Sequence, residues 1–177
     1  QIKNAAADGN PVVIAALSEG TLVINRELAH LATDPKAPRP ELLSFAMFAS
    51  PETGLFRIYL PVHTRLPIVN YTSQDLAESQ YDVSVVFHQY DFWSDPPDRP
   101  WNLLADLNSL AGLAYFHDGT AMVAPSDAIE LSSVTSHLGG TTTTYMVPAP
   151  TLPLLLPLQQ IGVPARIVNA LNGVLKP

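Results

Sequence analysis

Ser18 sits in Ala16-Leu17-Ser18-Glu19-Gly20, between a continuous apolar run and a segment of helical period. That strand–turn–helix setting is the one a nucleophile elbow of the pattern G-x-S-x-G requires. The turn is tight, so its flanks must be small. Gly20 meets that demand, and Ala16 replaces the first glycine with the next smallest residue. A serine placed there projects its hydroxyl above the sheet, and the backbone N–H of Glu19 can face a developing oxyanion. An ordinary serine at a strand-to-helix turn is the plainer reading of the pentapeptide.

A serine hydroxyl needs a base, and the base needs an orienting acid. On this kind of sheet the chain order is serine, then acid, then histidine. Asp91 follows directly on an apolar strand, at the carboxyl end where catalytic groups gather in open α/β sheets. Asp95 is the alternative acid, and both also suit a plain turn before prolines. Five histidines compete for the base. His30 lies on the helix after Ser18, His63 in an irregular stretch, and His88 inside a strand ahead of Asp91. His117, in Tyr115-Phe116-His117-Asp118-Gly119, and His137, in Ser136-His137-Leu138-Gly139-Gly140, both begin loops and satisfy the order. The residues themselves favour His117 only slightly.

The elements that would position these groups are legible as changes of period. Pro11 to Leu17 reads as a strand buried on both faces, rich in β-branched residues. Ile24, Leu28 and Leu31 mark a helix ended by Pro35, Pro38 and Pro40. Leu42 to Phe48 and Asp82 to Gln89 are two further buried strands. Residues 52–73 form an excursion with short strands at Phe56–Leu60 and Ile68–Tyr71. Pro100 opens a helix with Trp101, Leu104, Leu107 and Ala111 on one stripe. Thr141–Val147 can be a strand, whereas Pro148–Pro157 cannot be a regular one. Ile167, Val168, Leu171, Val174 and Leu175 fit an amphipathic helix.

Strands alternating with helices predict an α/β fold with a largely parallel sheet. A complete hydrolase sheet of this kind has strands before the nucleophile strand, which here comes first. Residues 1–177 are therefore expected to be a single domain's carboxyl-terminal portion. The remainder would come from the same chain or another one, and a start at Gln1 fits a cut leader or a longer polypeptide.

Composition bounds the function. Nine basic against sixteen acidic residues give a net charge of −7, which excludes nucleic acid as a partner, since that needs basic patches. The absence of cysteine removes disulfides, zinc–thiolate sites and thiol catalysis. The histidines lack metal-ligand spacing and no glycine-rich phosphate loop follows a strand, so no metal and no cofactor are expected. No apolar run reaches the roughly 18 residues of a membrane-spanning helix.

Three blocks resemble the PE-PPE domain, the cutinase-like serine hydrolase module of mycobacterial cell-envelope proteins. They are Ala16-Leu17-Ser18-Glu19-Gly20-Thr21; Gln89-Tyr90-Asp91-Phe92-Trp93-Ser94-Asp95-Pro96 running on to Tyr115-Phe116-His117; and Thr144-Tyr145-Met146-Val147-Pro148 with Leu152-Pro153-Leu154-Leu155 and Pro157-Leu158. The resemblance covers nearly all of residues 12–158. It implies a cutinase-like α/β-hydrolase fold with Ser18 as nucleophile, His117 as base and Asp91 or Asp95 as acid. It also implies an esterase or acyltransferase of cell-envelope lipids, exported to the envelope or beyond, with acyl lipids or glycolipids as substrates. Two departures stand out: Ala16 for glycine, and Asp118 where glycine usually follows the histidine. The proline-broken segment 148–158 could wall an acyl-chain groove, touch a lipid surface, or simply cover the core. A hydrolase fold that has lost activity and serves as a binding or structural module is the alternative reading.

Overall fold

A computed structural model describes residues 2–176. A helical turn, α1 (Ile2–Ala5), precedes strand β1 (Val12–Leu17) and helix α2 (Gly20–Leu31). Strand β2 (Leu43–Phe48), the short helix α3 (Leu55–Tyr59) and a small hairpin of β3 (Arg65–Leu66) and β4 (Tyr71–Thr72) follow. Then come β5 (Asp82–His88), α4 (Leu103–Phe116), β6 (Ile129–Thr135), β7 (Thr141–Val147), α5 (Leu156–Gln160) and α6 (Ala165–Leu175).

The main sheet has the order β1-β2-β5-β7-β6. Its first four strands are parallel, and β6 pairs antiparallel with β7 through an irregularity between Glu130 and Ser132. The protein is thus α/β with a mostly parallel sheet. Parallel neighbours need crossovers, and α2 and α4 lie in two of them. The four parallel strands all run towards one edge, and the loops leaving that edge carry the residues singled out above as nucleophile and acid, while His117 caps the end of α4.

Packing explains which faces are buried. Leu43, Phe45 and Met47 of β2 and Val83 and Val85 of β5 alternate onto one face, where Ile24, Leu28 and Leu31 of α2 cover them. Each fully buried leucine there stabilises the fold by about 1.5–3 kcal/mol. Phe45 and Tyr81 meet edge-on with ring centres 5.6 Å apart, and the Tyr81 hydroxyl donates to Pro38 O at 2.7 Å. A second cluster joins Leu152 and Leu155 to Val168 of α6.

Several elements differ from expectation. β1 is not buried on both faces: it is the outer strand of the sheet, and Val13 is 64% exposed. Residues 56–60 lie largely within helix α3 instead of a strand, because Ile58 N–H and Leu60 N–H close helical turns on Gly54 O and Phe56 O. The expected strand 68–71 is the turn of the β3–β4 hairpin, with left-handed Asn70 (φ 47°) at its corner. Helix α4 starts at Leu103, not Pro100, since the Asn102 side chain accepts the Ala105 N–H as its cap. β6 is a further strand, exposed along its whole length.

Candidate active site

Three adjacent strands end in the same way. The Ser18 N–H donates to Phe48 O at 2.8 Å, the Ala49 N–H to Val86 O at 2.8 Å, and the Gln89 N–H to Val147 O at 2.9 Å. At or just after those bonds the backbone turns left-handed at Ser18 (φ 54°), Ala49 (φ 50°) and Tyr90 (φ 69°). A left-handed residue with a Cβ costs roughly 1–2 kcal/mol, so surrounding contacts must hold it. Each turn lifts the following loop off the sheet edge.

At the first turn, the smallness argument holds in detail. A Cβ added to Gly20 would sit 3.2 Å from the Ala16 Cβ, so Gly20 is what admits alanine at position 16. Glu19 forms the amino end of α2 without a side-chain cap bond, and its N–H stands at the positive end of the helix dipole. The Ser18 carbonyl accepts the Thr21 N–H at 3.0 Å and the Thr21 hydroxyl at 2.5 Å. Thr21 also meets the Ser50 hydroxyl at 2.9 Å.

Ser18 Oγ lies 2.8 Å from His117 Nε2. His117 Nδ1 in turn lies 2.8 Å from Asp91 Oδ2. A carboxylate only accepts hydrogen bonds, so Nδ1 carries the imidazole proton and the Nε2 lone pair faces the serine hydroxyl. Asp91 is fully buried, and its Oδ2 also accepts from the Ser94 hydroxyl at 2.5 Å. The Trp93 N–H approaches Oδ1 at 3.3 Å.

The loop carrying Asp91 is clamped by two glycines. A Cβ on Gly112 of α4 would fall 2.0 Å from Tyr90 O, and one on Gly54 would fall 2.4 Å from the Ser94 Cα. Asp95 sits apart from the histidine: its carboxylate accepts the Tyr90 N–H at 2.8 Å. Burial pushes the Asp95 carboxyl above the usual carboxylate range, the Tyr90 N–H pulls it down, and the charges of Asp91 and Asp98 raise it further.

The other histidines are elsewhere. His30 is exposed, 3.8 Å from Asp34, and His63 is an exposed, left-handed turn residue. His137 is an exposed residue facing Glu78 at 3.0 Å. His88 stacks on Phe116 with ring centres 5.0 Å apart, and burial lowers its basicity despite the charge of Asp91. Among the described residues no group of three His, Cys, Asp or Glu could hold a metal ion.

Beyond the turn lies a buried polar cluster. Glu52 accepts from Asn25 Nδ2 at 2.8 Å, from the Tyr71 hydroxyl at 2.7 Å, and from Arg26. Arg26 also donates to Thr72 O at 2.9 Å. Burial, with the Glu52 carboxylate second, pushes the Tyr71 phenol well up, which keeps it a donor. This cluster ties α2 to the loop after β2 and to the β3–β4 hairpin. The segment after β7 lines a cavity of about 380 Å³ with Leu104, Asn108, Leu154 and Leu175.

Ser94, Thr21, Ser50, Gly54 and Gly112 were not singled out from sequence. Ser94 had a local signal, standing in the turn that Asp91 begins. The others depend on which loops the sheet brings side by side.

The PE-PPE domain family matches residues 1–177. The chain is 62% identical over its whole length to the uncharacterized PPE family protein PPE63 of Mycobacterium tuberculosis, covering 37% of that protein. It is 40% identical to the diacyltrehalose acyltransferase Chp2 of the same organism, over 95% of this chain and 50% of that one. To the esterase PE16, also of Mycobacterium tuberculosis, it is 32% identical over 99% of this chain and 34% of the relative. The chain thus spans half or less of the length of these relatives. No solved structure matches it. Carried by a match along its whole length, the chain belongs to the PE-PPE domain family.

Proposed function

We propose that this domain is a serine hydrolase acting on acyl esters of lipids, through an acyl-enzyme on Ser18. The observation that carries the reading is the unbroken relay from Ser18 Oγ to His117 Nε2 and from Nδ1 to Asp91, both steps at 2.8 Å. His117 Nε2 takes the Ser18 proton as Oγ attacks the ester carbonyl. The Glu19 N–H stabilises the oxyanion, and Asp91 stabilises the imidazolium that forms. The same proton then goes to the leaving alcohol as the tetrahedral intermediate collapses. A second nucleophile, deprotonated by His117, releases the acyl group and restores the serine.

Water as that nucleophile gives an esterase, and an alcohol gives an acyltransferase. The relatives named as a diacyltrehalose acyltransferase and as an esterase support both outcomes on one scaffold. We assign glycolipid or other lipid alcohols as acceptors competing with water, and an exported, envelope-facing location. The exposed apolar residues of the α4 region, Trp101 (76%) and Leu103 (73%), support contact with a lipid surface. No helix of the described residues is long and apolar enough to cross a membrane.

The test is turnover of a short-chain activated ester by the complete protein, with and without a trehalose glycolipid acceptor. The wild type should release alcohol in both conditions and form acylated glycolipid in the second, while Ser18→Ala does neither. Free acid as the sole acyl product removes the transferase assignment. Turnover retained in Ser18→Ala removes the hydrolase assignment.

A further inference from the structure

The contacts beneath Ser18 hold the peptide unit that follows it as well as the nucleophile. The carbonyl of Ser18 and the N–H of Glu19 belong to one planar peptide, so fixing one direction fixes the other, opposite to it. Two donors converge on that carbonyl, the Thr21 N–H at 3.0 Å and the Thr21 hydroxyl at 2.5 Å. A carbonyl only accepts, so it takes the single Thr21 hydroxyl proton. The same Thr21 hydroxyl lies 2.9 Å from Ser50 Oγ, so the two buried side chains are joined by a hydrogen bond. Thr21 and Ser50 are fully buried, so water cannot replace either bond.

We propose that Thr21, backed by Ser50, is a positioning residue for the oxyanion donor. The Thr21 hydroxyl, held between Ser50 Oγ and the Ser18 C=O, aims the Glu19 N–H at the place where the ester oxygen becomes charged. This rests on the proposed hydrolase reading and assigns a role within it. It also accounts for Ser50 standing where it does: left-handed Ala49, tied by its N–H to Val86 O at 2.8 Å, turns the loop after β2 in under α2. The device links the ends of β1 and β2, so the oxyanion donor depends on both strands. A donor that is mis-aimed but present loses less than one removed. Complete removal of an oxyanion donor costs about 100- to 1,000-fold in kcat, and we expect about 10- to 100-fold from Thr21→Val.

The experiment measures kcat, KM and the pH profile on a short-chain activated ester, together with the rate of fluorophosphonate labelling. It compares the complete wild-type protein with Thr21→Val, Thr21→Ser and Ser50→Ala. Thr21→Val should lower kcat and the labelling rate together, with KM and the pH profile unchanged, because the Ser18–His117–Asp91 relay is untouched. Thr21→Ser keeps the hydroxyl and should restore most of the rate, which a purely structural role for the threonine methyl would not allow. Wild-type kcat in Thr21→Val, a loss seen only in KM, or Thr21→Ser falling as far as Thr21→Val overturns the proposal. If Thr21→Val fails to fold, Ser50→Ala decides: a lowered kcat at unchanged KM supports the device, and an unchanged kcat overturns it. A wild-type protein inert to both ester and probe overturns the hydrolase reading and this proposal with it. An active wild type with an equally active Thr21→Val overturns only this one.

Discussion

Asp95 commits its carboxylate to the Tyr90 N–H at 2.8 Å, while Asp91 faces the imidazole. Both belong to one turn, and Asp95 holds the left-handed Tyr90 that delivers Asp91. Their substitutions should separate cleanly. Asp91→Asn removes the charge opposite the imidazole and reverses the tautomer preference, so kcat should fall about 10⁴-fold. Asp95→Asn keeps an oxygen for the Tyr90 N–H and should cost far less. It should also change stability in a pH-dependent way. Burial holds the folded Asp95 above its ordinary value of 3.8. Its contribution to folding is therefore fully present below about that pH and is lost as pH rises through the folded value. Asp95→Asn should accordingly raise the melting temperature relative to wild type more at pH 7 than at pH 4. Thermal melts at the two pH values check this, and an equal change at both would remove burial as the cause.

At the scale of elements, the contrast between α2 and α4 shows what a sequence makes legible. The stripe Ile24, Leu28, Leu31 of α2 is buried as its period implies, against apolar positions of β2 and β5. In α4 the same reasoning fails. Leu103, Leu104, Leu107 and Leu110 are exposed, and the helix turns Asn108, Ser109 and Gly112 inward. The inward face is polar and small because it meets backbone: Asn108 Oδ1 accepts the Leu154 N–H at 3.2 Å, and Gly112 lies on the Tyr90 carbonyl. Period locates a stripe, but what a helix face meets is decided by tertiary structure. Ser18, Asp91 and His117 stand out in the sequence because each falls at the end of a strong strand or helix. The supporting residues could not, since Thr21 and Ser50 are brought together only by the pairing of β1 with β2. The clearest consequence lies at Gly112. Gly112→Ala would place a methyl 2.0 Å from a backbone oxygen, so α4 or the Asp91 turn must move, shifting Asp91 and His117 at once. We expect a loss of about 1–3 kcal/mol, typical of overpacking, and a larger fractional loss of turnover. Denaturant melts and ester kinetics on the same preparation check both, and full turnover would show that α4 does not set the position of Asp91.

At the scale of the whole molecule, the parallel sheet acts as a comb. β1, β2, β5 and β7 deliver their carboxyl ends to one edge in the order in which they pair. β1 contributes Ser18, β2 the loop with Ser50 and Glu52, and β5 the turn with Asp91. The crossover after that turn returns His117 to lie above β1, bridging 99 positions of sequence to reach Ser18. A net charge of −7 sets the domain against polyanions. If this convergence makes Ser18 a nucleophile, Ser18 is the residue that a serine-directed probe will label. The complete protein is treated with a fluorophosphonate, digested, and analysed by mass spectrometry, with Ser18→Ala and His117→Ala beside the wild type. A single adduct is expected on the peptide containing Ser18, absent in Ser18→Ala and formed far more slowly in His117→Ala. An adduct on another serine, or a folded wild-type protein that forms none, would contradict it.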